Sequence, residues 1–238
     1  MIESTKAIVI NSIKYGDTSL ICTCYTSEQG MKSYLLRGIL KSKKGKLRPA
    51  YFQPLTQLII TANHNNKGTL NTIREAELAH FYKAVHADVR KRSIALFLAE
   101  VLYAAVREEE RNDALYKYLE TSLLWLDTHD DIANFHLLFL LNLARFLGFY
   151  PELKNSNSKA FDLNEGKFSN QIGKYCISGS KLILFKKLLG INFDVLHEVD
   201  FSVQNRQDIL TILIQYFELH LSGFRRPKSL NVLKTVFN

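Results

Sequence analysis

Four prolines in 238 residues leave no proline-rich linker, and eleven glycines are too few and too scattered for a repeat array. No internal repeat or low-complexity tract is visible, so a globular chain of one compact unit or two small ones is expected. Long apolar runs are also missing. The longest, residues 135–149, is broken by His136, Asn142 and Arg145, and falls short of the roughly 20 apolar residues a membrane span needs. Residues 1–10 mix Glu3 and Lys6 with apolar side chains, which is not a signal-peptide pattern. Only Cys22, Cys24 and Cys176 carry thiols, so reduced cysteines and a cytoplasmic location are expected.

Catalytic spacings are absent too. There is no Gly-x-x-x-x-Gly-Lys-Ser/Thr loop, no Gly-x-Gly-x-x-Gly and no Gly-x-Ser-x-Gly elbow. The seven histidines show no His-Glu-x-x-His spacing. His129-Asp130-Asp131 reads as a helix-capping turn, and Glu108-Glu109-Glu110 as a solvated helix end. Cys22 and Cys24 stand two apart on an expected strand, pointing to one face as small core residues. No catalytic residue and no cofactor is expected.

Charge, by contrast, is present and uneven. The net charge is +8, and residues 1–80 hold eleven Lys or Arg against five Asp or Glu, so +6 of it lies in this third. A basic excess on one segment is the footprint of a polyanionic partner, or else a solvated basic face. The same third reads as strands: 6–15, 19–26, 31–36, 55–62 and 69–76, rich in Ile, Val, Thr and Tyr, with turns at 15–17, 27–30 and 63–68. Five short strands suit a small OB-type barrel, which removes exposed edges; an open sheet is the alternative. From about residue 81 the period becomes helical, with helices over 88–107, 113–126 (Asp113 as N-cap), 134–148, 180–189, 203–221 and 228–237. Residues 134–148 are apolar on nearly every face, the mark of a buried central helix. Residues 152–178 read as an irregular excursion with a short hairpin. The fold class is therefore α+β: an OB-type barrel over 1–80 followed by a helical domain over 81–238.

One segment carries a functional signal. Residues 37–48 contain Arg37, Lys41, Lys43, Lys44, Lys46 and Arg48 with no acid among them, around Gly45. Such a loop can track successive phosphates. Tyr34, Tyr51 and Phe52 flank it, either as rings for base stacking or as filling of the barrel interior. Without a recognition helix, this set fits single strands better than duplex reading. Arg37, Lys41, Lys43, Lys44, Lys46, Arg48 and Tyr51 are the candidate DNA contacts. A helical protein-interaction adaptor, or another OB-fold single-strand binder, is the alternative.

At these residues the chain resembles the RecO family of bacterial DNA-repair mediators. The matching pattern includes Ile8-Val9-Ile10, Tyr15-Gly16-Asp17, Glu28-Gln29-Gly30 before Met31, Arg37-Gly38, Lys41-Ser42-Lys43, Leu47-Arg48 and Gln53-Pro54-Leu55. It continues in Leu147-Gly148-Phe149-Tyr150-Pro151 and in the stretches 216–221 and 228–230. The resemblance implies an OB barrel, a helical C-terminal domain, binding of single- and double-stranded DNA, and annealing of complementary strands without ATP. It also implies partners: RecR, the tail of the single-strand-binding protein and, indirectly, RecA, in a nucleoid-associated protein. For that acidic, aromatic-ended tail the helical domain offers Arg90 and Arg92 beside Lys91, Arg145, and Arg225 and Arg226 beside Phe224 and Lys228. One departure matters. Many family members carry four zinc-binding cysteines in the region that is 154–178 here, where only Cys176 stands. One thiol cannot build a tetrahedral site, so no metal is expected.

Overall fold

The computed structural model describes residues 2–41, 47–64, 70–107 and 109–237. The chain divides into two compact units, Met1–Asp127 and Thr128–Asn238.

The first unit is built on five antiparallel strands: β1 (Ile2–Tyr15), β2 (Ser19–Thr26), β3 (Gly30–Leu36), β4 (Gln57–Asn63) and β5 (Thr72–Leu78), in the order β3-β2-β1-β4-β5. The long β1 joins the two halves: Ile2 to Ile8 pair with β4, and Ala7 to Tyr15 pair with β2. Between Val9 and Asn11 the register shifts, so Ile10 is a bulge that bends the strand where one partner hands over to the other. Alternate residues then face one interior. Ala7 and Val9, Cys22 and Cys24, Tyr34 and Leu36, and Leu58 and Ile60 are all buried together. Each large side chain among them contributes about 1.5–3 kcal/mol by leaving water.

Among the described residues the edge strands meet at one isolated bridge, between Tyr34 and Asn71. There the Leu35 N–H donates to the Asn71 carbonyl and the Asn71 N–H to the Ser33 carbonyl, both at 2.9 Å. The arrangement is the expected OB type, joined at a point and not closed by a full ladder. Strand ends differ from the sequence expectation. β1 begins at residue 2, β4 begins at Gln57 because Leu55 turns through φ 62°, and β5 starts at Thr72.

Two helices belong with this sheet: α1 (Val89–Ala105) and α2 (Asp113–Thr128). Asp88 caps α1, its carboxylate accepting from the amides of Arg90 and Lys91. For α2 the expected cap moves one residue: the Asn112 side chain accepts from the Leu115 amide, while Asp113 opens the helix and pairs with Arg111. The apolar face of α2 is buried through Leu115, Leu119, Ser122, Leu123 and Leu126. In α1, Ile94, Phe97, Leu98, Val101 and Leu102 form the buried side, while Val89 and Leu96 face outward.

The second unit centres on α3 (Phe135–Phe146), in which every residue from Phe135 to Leu141 is buried. Gly148, with φ 84°, and buried Pro151 follow its end. The stretch expected to be irregular with a short hairpin holds that hairpin, β6 (Ala160–Asp162) with β7 (Lys167–Ser169), and adds a third strand, β8 (Cys176–Ser178), to make an antiparallel sheet in the order β7-β6-β8. Its first turn depends on Gly166. That residue has φ 66°, and a Cβ there would lie 2.8 Å from the Tyr216 hydroxyl. Helices α4 (Gly179–Lys186), α5 (Val203–His220) and α6 (Leu230–Val236) complete the unit. Phe161 packs edge-on to Phe168 and tilts against Phe185 and Tyr216, so the small sheet shares an aromatic core with α4 and α5.

Candidate nucleic-acid interface

Among the cations on the first unit two groups stand out. On the helix-facing side they are neutralised. Lys6 lies 2.8 Å from Glu120, which Lys117 also reaches at 2.9 Å. Lys32 lies 2.9 Å from Glu109, and Arg111 bridges Glu28 and Asp113. Partial burial works to raise the Glu120 carboxyl, but the two lysines overcome it and hold the group below the usual carboxylate range. The ring of Tyr25 on β2 stacks on Tyr116 of α2.

The end of the sheet where β1 turns into β2 is different. Lys14, Arg37, Lys41 and Arg48 are exposed and make no ion pair among the described residues. Two hydrogen bonds bring Lys14, Arg37 and Lys41 together at this end. The Leu40 N–H donates to the Thr18 carbonyl at 2.9 Å, and the Gly38 N–H to the Ser19 hydroxyl at 3.2 Å. Segment 37–41 is thereby fastened to the tip of the β1–β2 hairpin. Asp17 shares that turn. Ile13, Tyr15 and Leu40 are large apolar side chains exposed at the same tip, Tyr15 by 56%.

The remaining candidates divide. Arg48 sits with its guanidinium 5.8 Å from the ring centre of Tyr51, a cation–π distance, while Tyr51 is half-buried against the barrel core. Tyr34 and Phe52 are core residues, which resolves their two readings in favour of filling the interior. Tyr34 is spent further: its hydroxyl lies 2.7 Å from Nε2 of His64, whose Nδ1 lies 2.6 Å from Glu3. Cys22 and Cys24 are likewise interior, their sulfurs 3.5 Å apart, and the neighbouring Cys22 thiol together with burial pushes the Cys24 thiol up. Lys43, Lys44 and Lys46 lie outside the described residues. Sequence reasoning passed over Lys14 and Tyr15. Their signal was a cation and a ring at the last two positions of a strand before Gly16, where a side chain has no sheet left to cover it.

The arginines expected to take a partner are unequal. Lys91 between Arg90 and Arg92 is buried and donates to the Asp127 carbonyl, so that run is not a continuous cationic patch. Arg90 lies 3.7 Å from Asp88, and Arg92 is exposed on the same helix. In the second unit Arg226 is held by both oxygens of Glu218, at 2.6 and 2.8 Å, which keeps that carboxyl low. Arg225 is exposed beside Phe224, and Arg145 stacks over Tyr150 at 4.5 Å. Cys176 is half-buried with its sulfur 3.6 Å from the Gln171 carbonyl, and no three metal-ligating side chains come together among the described residues. No helix among them is long and apolar enough to cross a membrane.

The family description "Recombination protein O N terminal" matches residues 1–82, and "Recombination protein O C terminal" matches residues 86–230. The chain belongs to the RecO family. It is 46% identical to the DNA repair protein RecO of Christiangramia forsetii over 238 residues, the whole of both chains. It is also 46% identical to that of Flavobacterium psychrophilum, over 98% of each chain, and 37% identical to that of Bacteroides fragilis, over the full length of both. The RecO N-terminal match covers all five strands of the large sheet, and the C-terminal match covers α1 through α5 together with the small sheet.

Proposed function

We propose that this RecO-family protein is a non-enzymatic DNA-repair mediator whose barrel end holds single-stranded DNA. It also binds duplex, anneals complementary strands without ATP, and helps load RecA onto strands coated by single-strand-binding protein, together with RecR. One observation carries the reading: Lys14, Arg37 and Lys41 make no ion pair among the described residues and gather at one end of the barrel, beside exposed Tyr15, while Lys6 and Lys32 are neutralised by acids of the helical segment. Unpaired cations release counterions when they meet phosphates, and an exposed ring gives a base a sequence-independent place to stack. Lys43, Lys44 and Lys46 extend the same basic segment in sequence. For the acidic tail of single-strand-binding protein the candidate contacts are Arg145, Arg225 and Arg226 in the second unit and, as a separate set, Arg90 and Arg92 on α1 of the first.

A titration of single- and double-stranded DNA at several salt concentrations, followed by strand annealing without nucleotide, tests the reading. Binding that weakens steeply with salt, and annealing with ATP absent, are expected. Salt-independent binding, or none at low salt, overturns it.

A further inference from the structure

The second unit carries a charge anomaly that the barrel end does not absorb. Residues 81–238 have a net charge of only +2, yet residues 154–187 hold seven lysines against Asp162 and Glu165, a local +5. The rest of that region is therefore net acidic, and the excess is gathered on the small sheet and α4. Its acids are already engaged. Asp162 accepts from the amides of Asn164 and Glu165 in the β6–β7 turn, and Glu165 lies 3.2 Å from Lys167. Lys154 lies 3.4 Å from Glu152. The other five, Lys159, Lys174, Lys181, Lys186 and Lys187, make no ion pair among the described residues.

Against this charge lies an open cavity of about 530 Å³ lined by Asn155, Asn157, Ser158, Phe168, Ser169 and Asn170. Its wall is all neutral donors and acceptors around one aromatic ring, and lysines border it. The Lys159 amide donates to the Asn170 side chain, and the Lys186 ammonium sits 5.2 Å over the Phe168 ring. Lys174 lies in the same way over Tyr175, at 5.0 Å. Amides and hydroxyls that present both donors and acceptors match the edge of a nucleobase, and surrounding ammonium groups match its phosphates. A carboxylate-rich peptide would meet the lysines through its side chains and the amides through its backbone, and the competition arm of the test separates it from a strand.

We propose that the lysine-rich small sheet is a second contact for a nucleic-acid strand, with the backbone along Lys159, Lys174 and Lys187 and a base edge in the asparagine-lined cavity. The inference rests on the strand-binding reading of the barrel end and gives that reading its missing half. A chain that anneals two strands needs somewhere to hold each.

The test uses the full-length protein and two oligothymidylates carrying a donor and an acceptor dye. The two strands cannot pair with each other, so energy transfer reports one protein holding both. Wild-type protein is expected to give transfer. Lys159→Glu/Lys174→Glu/Lys187→Glu should abolish transfer while a single strand still binds within a few-fold of wild type. The salt slope of second-strand binding should fall by about 2, since each single-strand phosphate contact contributes about 0.7. The reverse variant, Arg37→Glu/Lys41→Glu, should also lose transfer yet keep one strand. Unchanged transfer in the small-sheet variant overturns the inference and leaves the barrel reading standing; no binding by wild type overturns that reading itself. If the Glu variant unfolds by circular dichroism, the Lys→Gln version of the three sites carries the test. Competition by oligoglutamate but not by oligothymidylate for the small sheet, read from crosslinks to 154–187, also overturns it.

Discussion

The buried ammonium of Lys91 donates at 2.9 Å to the main-chain carbonyl of Asp127, and the carboxylate of the same aspartate accepts from the amides of Lys83, Ala84 and Val85. The three residues that lead from the sheet into α1 are thus fastened to the end of α2 by one side chain. Burial works to raise the Asp127 carboxyl, but the three amides and nearby His80 outweigh it and hold it below the ordinary value of 3.8. Asp127→Ala strands three donors, and a loss of about 3 kcal/mol is expected. Urea unfolding of the full chain measures it, and an unchanged midpoint refutes it.

Acid should act through His136. Burial, and then Arg206, lower its pKa from 6.5 to about 3, so the folded chain keeps the ring neutral while the unfolded chain takes up a proton. The sign follows: this contribution is complete above pH 6.5 and is lost as pH falls toward 3. The loss should run at up to about 1.4 kcal/mol per pH unit. His136→Phe should flatten the dependence of the second unit's melting between those limits, whatever it does to stability at neutral pH. An identical slope in wild type and variant removes His136 as the cause.

Charge on the two sides of the sheet should matter unequally. Arg37→Glu/Lys41→Glu is expected to weaken oligothymidylate binding at least tenfold and to lower the salt slope by about 1.4. Lys6→Gln/Lys32→Gln, on the neutralised side, should leave both within twofold. Equal effects from the two pairs would place the strand elsewhere.

Tyr15→Ala tests stacking separately from charge. A base stacked on a ring is worth about 1–3 kcal/mol, so affinity should drop roughly five- to 150-fold with the salt slope unchanged. A changed slope would mean that the ring acts by positioning Lys14. Tyr51→Ala should instead lower the melting temperature, because that ring packs on the core.

The purified protein should contain no stoichiometric zinc, and chelator should leave its melting temperature unmoved. Elemental analysis showing one equivalent would mean that His or Asp groups replace the thiols that residues 154–178 lack.

Much of this was legible in the residues because the signals were periodic. The continuous Ile-, Cys-, Thr- and Tyr-rich run of β2, the stripe of α2 and the uniformly apolar α3 each span enough turns or pleats to declare themselves. The small sheet did not. Its strands have three residues each, too few to show a period of two, and their core comes from long-range packing of Phe161 and Phe168. Lys91 was read as surface because its neighbours are arginines; only the fold shows α2 supplying a carbonyl for it. Tyr34 and Tyr15 are both strand tyrosines near the basic segment. The difference between a core ring and an exposed one lies in whether another strand continues alongside, which no local pattern reports.

Ion pairing on one flank of the barrel also shapes events before any contact is made. Because Lys6 and Lys32 are cancelled by Glu120 and Glu109, the attractive potential of the sheet projects from the Arg37 end and not evenly around it. A polyanion diffusing nearby is turned toward that end, so productive encounters need less rotational search. Association rates should then fall steeply with ionic strength while dissociation changes little. Removing Glu109 or Glu120 would spread the field over the flank. That would raise the number of collisions and lower the fraction that dock.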